Sequence, residues 1–186
     1  LNSWFNYGKV ESQANSGIPA SSNVVASNQM SPGLLAGDVM YQGNQGMINN
    51  YLSNDRKYRP EVTAALMGNI DVETGGSFDY LQQQDGGGPG QGLFQLEGSK
   101  KEDYNNYLND NGFEDSPRAQ LDYMHETIYG DLQDEIGYGN AAKLRKIFET
   151  GTVEEVTKAF EEIWERPGIP HSDRRLASAK SYTTDS

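Results

Sequence analysis

The stretch from Pro60 to Gly76 constrains this chain more than any other. A proline at the first position of a helix is tolerated, because its missing N–H is one of the four that a helix start leaves unpaired. From there Val62, Leu66 and Ile70 recur every four residues, the spacing of one face of an amphipathic helix. Gly75-Gly76 supplies a stop signal. On a wheel turning about 100° per residue with Val62 at zero, Leu66 falls at about 40°, Ile70 at about 80° and Glu73 at about 20°. Glu73 therefore falls inside the apolar stripe, at the helix end where the macrodipole is negative. Desolvation and that dipole both disfavour a charged carboxylate. A carboxylic acid that keeps its proton is what a general acid needs. The alternative is a helix that ends before Glu73 and leaves the side chain in water.

The same helix grammar recurs along the chain. Met47, Ile48, Tyr51 and Leu52 predict a short amphipathic helix from about residue 46. A third helix is expected over Lys101 to Leu108. A fourth opens at Ser116-Pro117 and buries Leu121, Met124 and Ile128, with His125 on it in a structural hydrogen bond. A fifth spans Asn140 to Phe148. The sixth opens with a capping box, Thr152 and Glu155, and carries the stripe Val153, Val156, Phe160, Ile163 and Trp164 up to Pro167. A last helix runs from Asp173 to Tyr182. Trp164 belongs to the core, and Glu165 with Arg166 is read as an ion pair closing the capped helix. Residues 77–98 lack a helical period. Phe78 to Gln84 and Gln91 to Leu96 flank Asp85-Gly86-Gly87-Gly88-Pro89-Gly90, the pattern of a small hairpin with a flexible connection. The fold class predicted is α+β, mostly helical with one small β-hairpin lobe. Residues 1–45 are rich in Asn, Ser, Gln and Gly and nearly free of charge, which predicts an extended arm or linker. Trp4, Phe5 and Tyr7 within it read as a local packing cluster or as an anchor onto a partner protein. The folded domain is expected over 46–182, with a tail at 183–186. The chain starts without Met and without a basic-then-apolar leader, so it is read as a processed product or a piece of something larger.

Composition removes several classes of function. With 15 Lys and Arg against 27 Asp and Glu, the formal net charge is −12. Phosphate contacts need clustered basic side chains, so nucleic acid is not expected as the partner, nor is a membrane surface held by basic residues. No run of 18 apolar residues exists to span a bilayer. Without cysteine there is no disulfide, no Cys-ligated zinc and no thiol nucleophile. His125 and His171 stand 46 residues apart and neither has a histidine partner at i+4. Asp110-Asn111-Gly112 would put Tyr107 at the first position of a calcium loop, where it cannot be a ligand. The glycine-rich stretch matches no phosphate-binding spacing, and no Gly-x-Ser-x-Gly elbow is present. No metal and no cofactor are expected.

A helix-terminal acid beside a hairpin makes a cleft between two lobes, where ligands bind. Gln95 there offers both a donor and an acceptor to a sugar. These residues also resemble a known family. Glu73-Thr74-Gly75-Gly76-Ser77-Phe78 is similar to the catalytic E-S-x-F motif of lysozyme-like muramidases and lytic transglycosylases. Gly92-Leu93-Phe94-Gln95, with Gln95 22 residues after Glu73, is similar to their Gly-Leu-x-Gln motif. The closer resemblance is to the phage tail lysozyme family. It includes Gly68-Asn69 ahead of Glu73, Asp85 with its glycines, the helix Gln120 to Glu126, and an ending of Phe160 to Pro167 with Arg175, Ala177 and Tyr182. The resemblance covers residues 46 to 182.

It implies a lysozyme-like fold that cleaves the β-1,4 bond between N-acetylmuramic acid and N-acetylglucosamine in peptidoglycan. It also implies a place in the phage virion, in the tail or as an ejected internal protein. From there the chain would act on the host wall in the periplasm or at the cell surface. The glycan strands are the implied partner, with other virion tail proteins met through the arm. Glu73 takes the role of general acid, and Phe94, Gln95 and Ser77 line the substrate. A hydrolase needs a second carboxylate. Asp79, Asp85 and Glu97 are candidates; Asp85 comes first because the glycine-rich turn could bring it to the cleft, although Asp also simply favours the start of turns. A lytic transglycosylase would manage with Glu73 alone, but the Ala-Tyr-Asn motif of those enzymes is absent. Two rivals stand beside these: an inactive structural or wall-binding virion module, and a peptidase or amidase of the peptide stems, which ordinarily needs zinc or a cysteine.

Overall fold

The computed structural model describes residues 36–183. Among them the chain forms eight α-helices: α1 (Ala36–Asn50), α2 (Pro60–Glu73), α3 (Gly98–Asn111), α4 (Pro117–Tyr129), α5 (Gln133–Ile136), α6 (Tyr138–Thr150), α7 (Val153–Phe160) and α8 (Ser172–Ser181). Helix α1 begins ten residues ahead of position 46, inside the stretch read from sequence as an arm. The rest of that stretch, with Trp4, Phe5 and Tyr7, and residues 184–186 of the tail lie outside the described residues.

The start signals act as expected. Pro60 and Pro117 occupy first helical positions, and Ser116 Oγ accepts from the Ala119 N–H at 3.1 Å. Thr152 and Glu155 bond reciprocally: the Thr152 N–H donates to Glu155 Oε2 at 2.8 Å and the Glu155 N–H to Thr152 Oγ1 at 3.2 Å.

Helix α2 is the axis of the domain. Every residue from Val62 to Ile70 is buried, so the stripe seen in the sequence is one side of a helix with no wet face along its middle. Helices α1, α7 and α8 pack around it. Close packing against α8 requires Gly68. A Cβ there would lie 2.5 Å from the Ala179 backbone nitrogen, a distance at which something must move. Phe160 and Trp164 stack at 5.0 Å and 10°, Phe94 meets Trp164 at 4.8 Å, and the Trp164 indole N–H donates to Thr127 Oγ1 at 2.8 Å.

Two expectations are corrected. No strand forms among the described residues, so the β-hairpin lobe is not there. Residues 77–97 make a loop lobe with two isolated antiparallel bridges, Gln83 to Gln91 and Gln91 to Leu96. The second run cannot extend as a strand because the chain reverses within it. Gly92 and Gln95 both take positive φ (83° and 47°), and the Leu96 N–H returns to the Gln91 carbonyl at 2.9 Å. Gln91 is thereby bridged on both sides and the ladder stops after one residue. The second correction concerns the sixth helix, which does not run through to Trp164 as one α-helix. After Phe160 it widens into a π-helical turn, Glu161–Glu165, closed by the Arg166 N–H on the Glu161 carbonyl at 2.8 Å. Such turns add a residue and re-aim side chains, often at functional sites.

Candidate active site

The end of α2 is held by its own side chains. Thr74 Oγ1 donates to the Ile70 carbonyl at 2.8 Å and accepts from the Phe78 N–H at 3.0 Å. This locks the turn after Glu73 and seats Phe78 in the core against Tyr182. The Glu73 side chain is left 16 % exposed, mostly enclosed and open on one side to a cleft.

Beneath it lies a charged network that comes from distant parts of the chain. Arg175 of α8 is fully buried and bonds in three directions. It pairs with Glu73 Oε1 through Nη2, donates through Nη1 to Asn69 Oδ1 at 3.0 Å, and donates through Nε to Glu161 Oε1 at 3.1 Å. Asn69 is fixed in turn, its amide donating to the Ala65 carbonyl at 2.8 Å. Glu161, equally buried, accepts further from the His171 N–H at 2.9 Å and the Ser172 hydroxyl at 2.5 Å. Both Glu161 oxygens, Asn69 Oδ1 and Glu73 Oε1 therefore each have a donor. The guanidinium is an opposite charge beside Glu73 that helix periodicity could not reveal.

The cleft above this network has a volume of about 400 Å³, within the size range of ligand sites. Glu73 enters it from α2 and Phe94 and Gln95 from the loop lobe. Lys100 contributes from α3, Glu165 from the π turn, and Arg175 from α8. The structure thus brings together three of the five site residues expected from sequence. Gln95 is oriented by its own amide, which donates to the Gly92 carbonyl at 2.9 Å. Phe94 is 3 % exposed and mostly core. The other two lie off the cleft lining. Ser77 turns aside to donate to Gln82 Oε1 at 3.1 Å. Asp85 is exposed, at the start of a 3-10 turn over Asp85–Gly87. Of the lesser candidates, Asp79 accepts from the Leu81 N–H at 2.9 Å, away from the cleft, and Glu97 is exposed on its rim.

The loop lobe keeps its position through Gln120 of α4. Its Oε1 accepts from the Leu93 N–H at 2.8 Å, while Nε2 donates to the Tyr80 carbonyl and to Asp115 Oδ1, both at 2.9 Å. Glycine at 92 leaves room for that amide, since a Cβ would come within 2.5 Å of Gln120 Oε1.

Glu165 departs from its sequence reading. Arg166 does not pair with it; the guanidinium donates instead to the Ile163 and Ile136 carbonyls, at 2.9 and 3.2 Å. Glu165 is partly buried, and its Oε1 is sealed from solvent and has no hydrogen-bond partner among the described residues. Burial first, and then the charge of Glu73, push this carboxyl up to about 8, against the pull of Arg175 and Lys100. Lys100 donates to the Trp164 carbonyl and lies 4.0 Å over the Trp164 ring; burial holds its ammonium below the usual lysine range. No cluster of His, Asp or Glu suited to a metal ion occurs among the described residues.

A larger hollow of about 530 Å³ between α1, α2 and Tyr182 contains no carboxylate; Glu73, Glu97 and Glu165 line the smaller cleft instead. Residues 43–185 match a family model described as phage tail lysozyme. No curated protein matches the chain.

Proposed function

Because this chain belongs to the phage tail lysozyme family, we propose that it cleaves the β-1,4 bond between N-acetylmuramic acid and N-acetylglucosamine in peptidoglycan, with Glu73 as the acid. Family membership carries the substrate class and the glycosidase type of the enzyme. The observation that carries the role of Glu73 is its seat: a helix-terminal carboxyl, partly open to a cleft of ligand size and held from behind by a buried arginine.

In this reading a glycan strand lies along the cleft, with Gln95 offering its side-chain oxygen as an acceptor to a hydroxyl or acetamido N–H, its own amide N–H groups being held by the Gly92 and Gln82 carbonyls. Glu73 gives a proton to the glycosidic oxygen as the C1–O bond breaks, and positive charge develops on the ring. Glu73 is then a carboxylate, and Arg175 is already in place to stabilise it. That carboxylate next serves as base toward the attacking oxygen, which belongs to water in a hydrolase and to the sugar's own 6-hydroxyl in a transglycosylase. Family membership agrees with a virion-borne enzyme that opens the wall locally during infection, with residues 1–45, read from sequence as an arm, as its tether to other tail proteins.

The test is mass spectrometry of fragments released from purified peptidoglycan. Glu73→Gln keeps the shape and the hydrogen bond to Arg175 but cannot carry the proton. It should lose at least about a hundredfold in rate, the ordinary share of general acid catalysis, at unchanged thermal stability. Reducing-end muramic acid among the wild-type products means hydrolysis, and 1,6-anhydro ends mean transglycosylation. A Glu73→Gln protein that releases fragments at the wild-type rate defeats the proposal.

A further inference from the structure

The charges around Glu73 do not balance. Three carboxyls meet there, Glu73 from α2 and Glu161 and Glu165 from the π turn, against two cations, Arg175 from α8 and Lys100 from α3. With all five ionised the cluster carries one negative charge in excess, and one proton removes it. The hydrogen bonds show which carboxyl is left to take it. Glu161 accepts from a guanidinium, a backbone N–H and a hydroxyl. Glu73 accepts from Arg175. Glu165 alone of the three has a sealed oxygen without a donor, and it lines the same cleft as Glu73. A buried carboxyl short of donors is stable only in its neutral form.

We propose that Glu73 and Glu165 are a carboxyl pair holding one proton between them, resting on Glu165 and delivered to the glycosidic oxygen through Glu73. This rests on the glycosidase reading above. Glu73 accepts a hydrogen bond from the buried Arg175 guanidinium, and the proton it delivers comes from its neighbour Glu165. In the step, the proton passes from Glu165 to Glu73 and on to the leaving oxygen, which keeps the C1–O electron pair. Glu165 is left as a carboxylate facing Lys100. The attacking water, or the 6-hydroxyl, then bonds to C1 and gives up one proton, which returns to the pair. One proton leaves and one returns, so the cluster ends as it began. Glu165 acts through Glu73 and is a positioning residue for the proton. The high proton affinity that burial gives Glu165 agrees with this state near neutral pH. Arg166, His171 and Glu97 also edge the cleft and are exposed; Arg166 and Glu135 both act on Lys100 and, being of opposite sign, leave the count unchanged.

Two readouts test the pair. The first is the pH profile of fragment release by wild type, Glu165→Gln and Glu165→Asp. The wild type should lose activity as pH rises past the loss of the shared proton. Glu165→Gln should fall by at least about a hundredfold at neutral pH. Its optimum should move to acid, where solvent can load Glu73 directly; Glu165→Asp, which carries a proton again, should recover part of the rate. The second readout needs no activity: the carboxyl ¹³C shifts of the glutamates in the wild-type protein, titrated over about pH 3 to 10. One glutamate titrating several pH units above the others, and missing from Glu165→Gln, supports the pair. If Gln at 165 prevents folding, that late-titrating glutamate in the wild type still decides. No glutamate titrating late, or a Glu165→Gln protein as active as wild type with the same alkaline limb, overturns the pair. In the latter case an inactive Glu73→Gln leaves the glycosidase reading standing, whereas an active Glu73→Gln removes both.

Discussion

Arg175 and His125 are both enclosed, and the protein treats their charges in opposite ways. Arg175 is given a partner for each of three donor groups. His125 on α4 is given a neutral setting. Its Nδ1 is 2.7 Å from the Tyr58 hydroxyl, its ring stacks on Tyr129 at 5.0 Å, and burial, aided by Arg56, lowers it to about 4. The unfolded chain protonates this ring near the ordinary histidine value of about 6.5. Between that value and 4 the unfolded state therefore binds the extra proton, and stability contributed by neutral His125 is lost as pH falls. Glu165 has the opposite sign. Its native carboxyl keeps a proton that the unfolded chain releases, so its contribution falls as pH rises from about 4.5 toward 8. The two overlap near pH 5, so the His125 effect is read as a difference. Melting temperatures at pH 7 and pH 5 should drop more for wild type than for His125→Gln; parallel curves would assign the acid sensitivity elsewhere. Glu73 was legible in the sequence because a carboxylate broke an apolar stripe. Asn69 breaks the same stripe, at about −20° on the same wheel, and is the residue that steers Arg175. It was readable by the same logic. Glu165 was not, because its meaning depends on a π turn that widens only in the packed protein.

At the scale of elements, the contact between α2 and α8 decides whether the network under the cleft can form. Gly68 lets the Ala179 backbone lie against α2, and Arg175 sits one helical turn before Ala179 on α8. Ala at 68 would gain about 1 kcal/mol of helix propensity in isolation. Here overpacking against backbone should outweigh it, leaving a net loss of about 1–3 kcal/mol. Thermal unfolding of Gly68→Ala should show a lowered midpoint together with weakened activity, since α8 moves with Arg175; a raised midpoint would mean that α8 yields freely. Helices with strong local signals, such as the prolines at α2 and α4 and the capping box of α7, were readable because their caps act within four residues. The loop lobe was not. Two runs without helical period on either side of a glycine-rich stretch read as a hairpin, but the positive φ at Gln95 and the amide of Gln120, 25 residues further on, decide that the chain doubles back instead.

Over the whole molecule the excess of acid sets how the protein meets its substrate. A chain of net charge −12 is repelled by walls that carry polyanions. Release of fragments from such walls should rise from very low salt to about 0.15 M, where the screening length is about 8 Å. It should change little on walls stripped of those polymers; a steady fall with salt on both would contradict this. The helical class was readable from caps and apolar spacing, but α1 was not, since it begins at Ala36 inside the stretch read as an arm, and neither was α2 as an all-round buried axis, because burial on the second side comes from α8.

The groups that make Glu73 useful lie at positions 69, 100, 161, 165 and 175, so they are far apart in the order of synthesis. Glu73 emerges from the ribosome about a hundred residues before Arg175, as a lone acid with no counter-charge. The array around Glu73 therefore behaves as an interlock that closes only when α8 has docked. A protease cut in the exposed link between Glu165 and Ser172 would open it again while leaving α2 and its carboxyl intact.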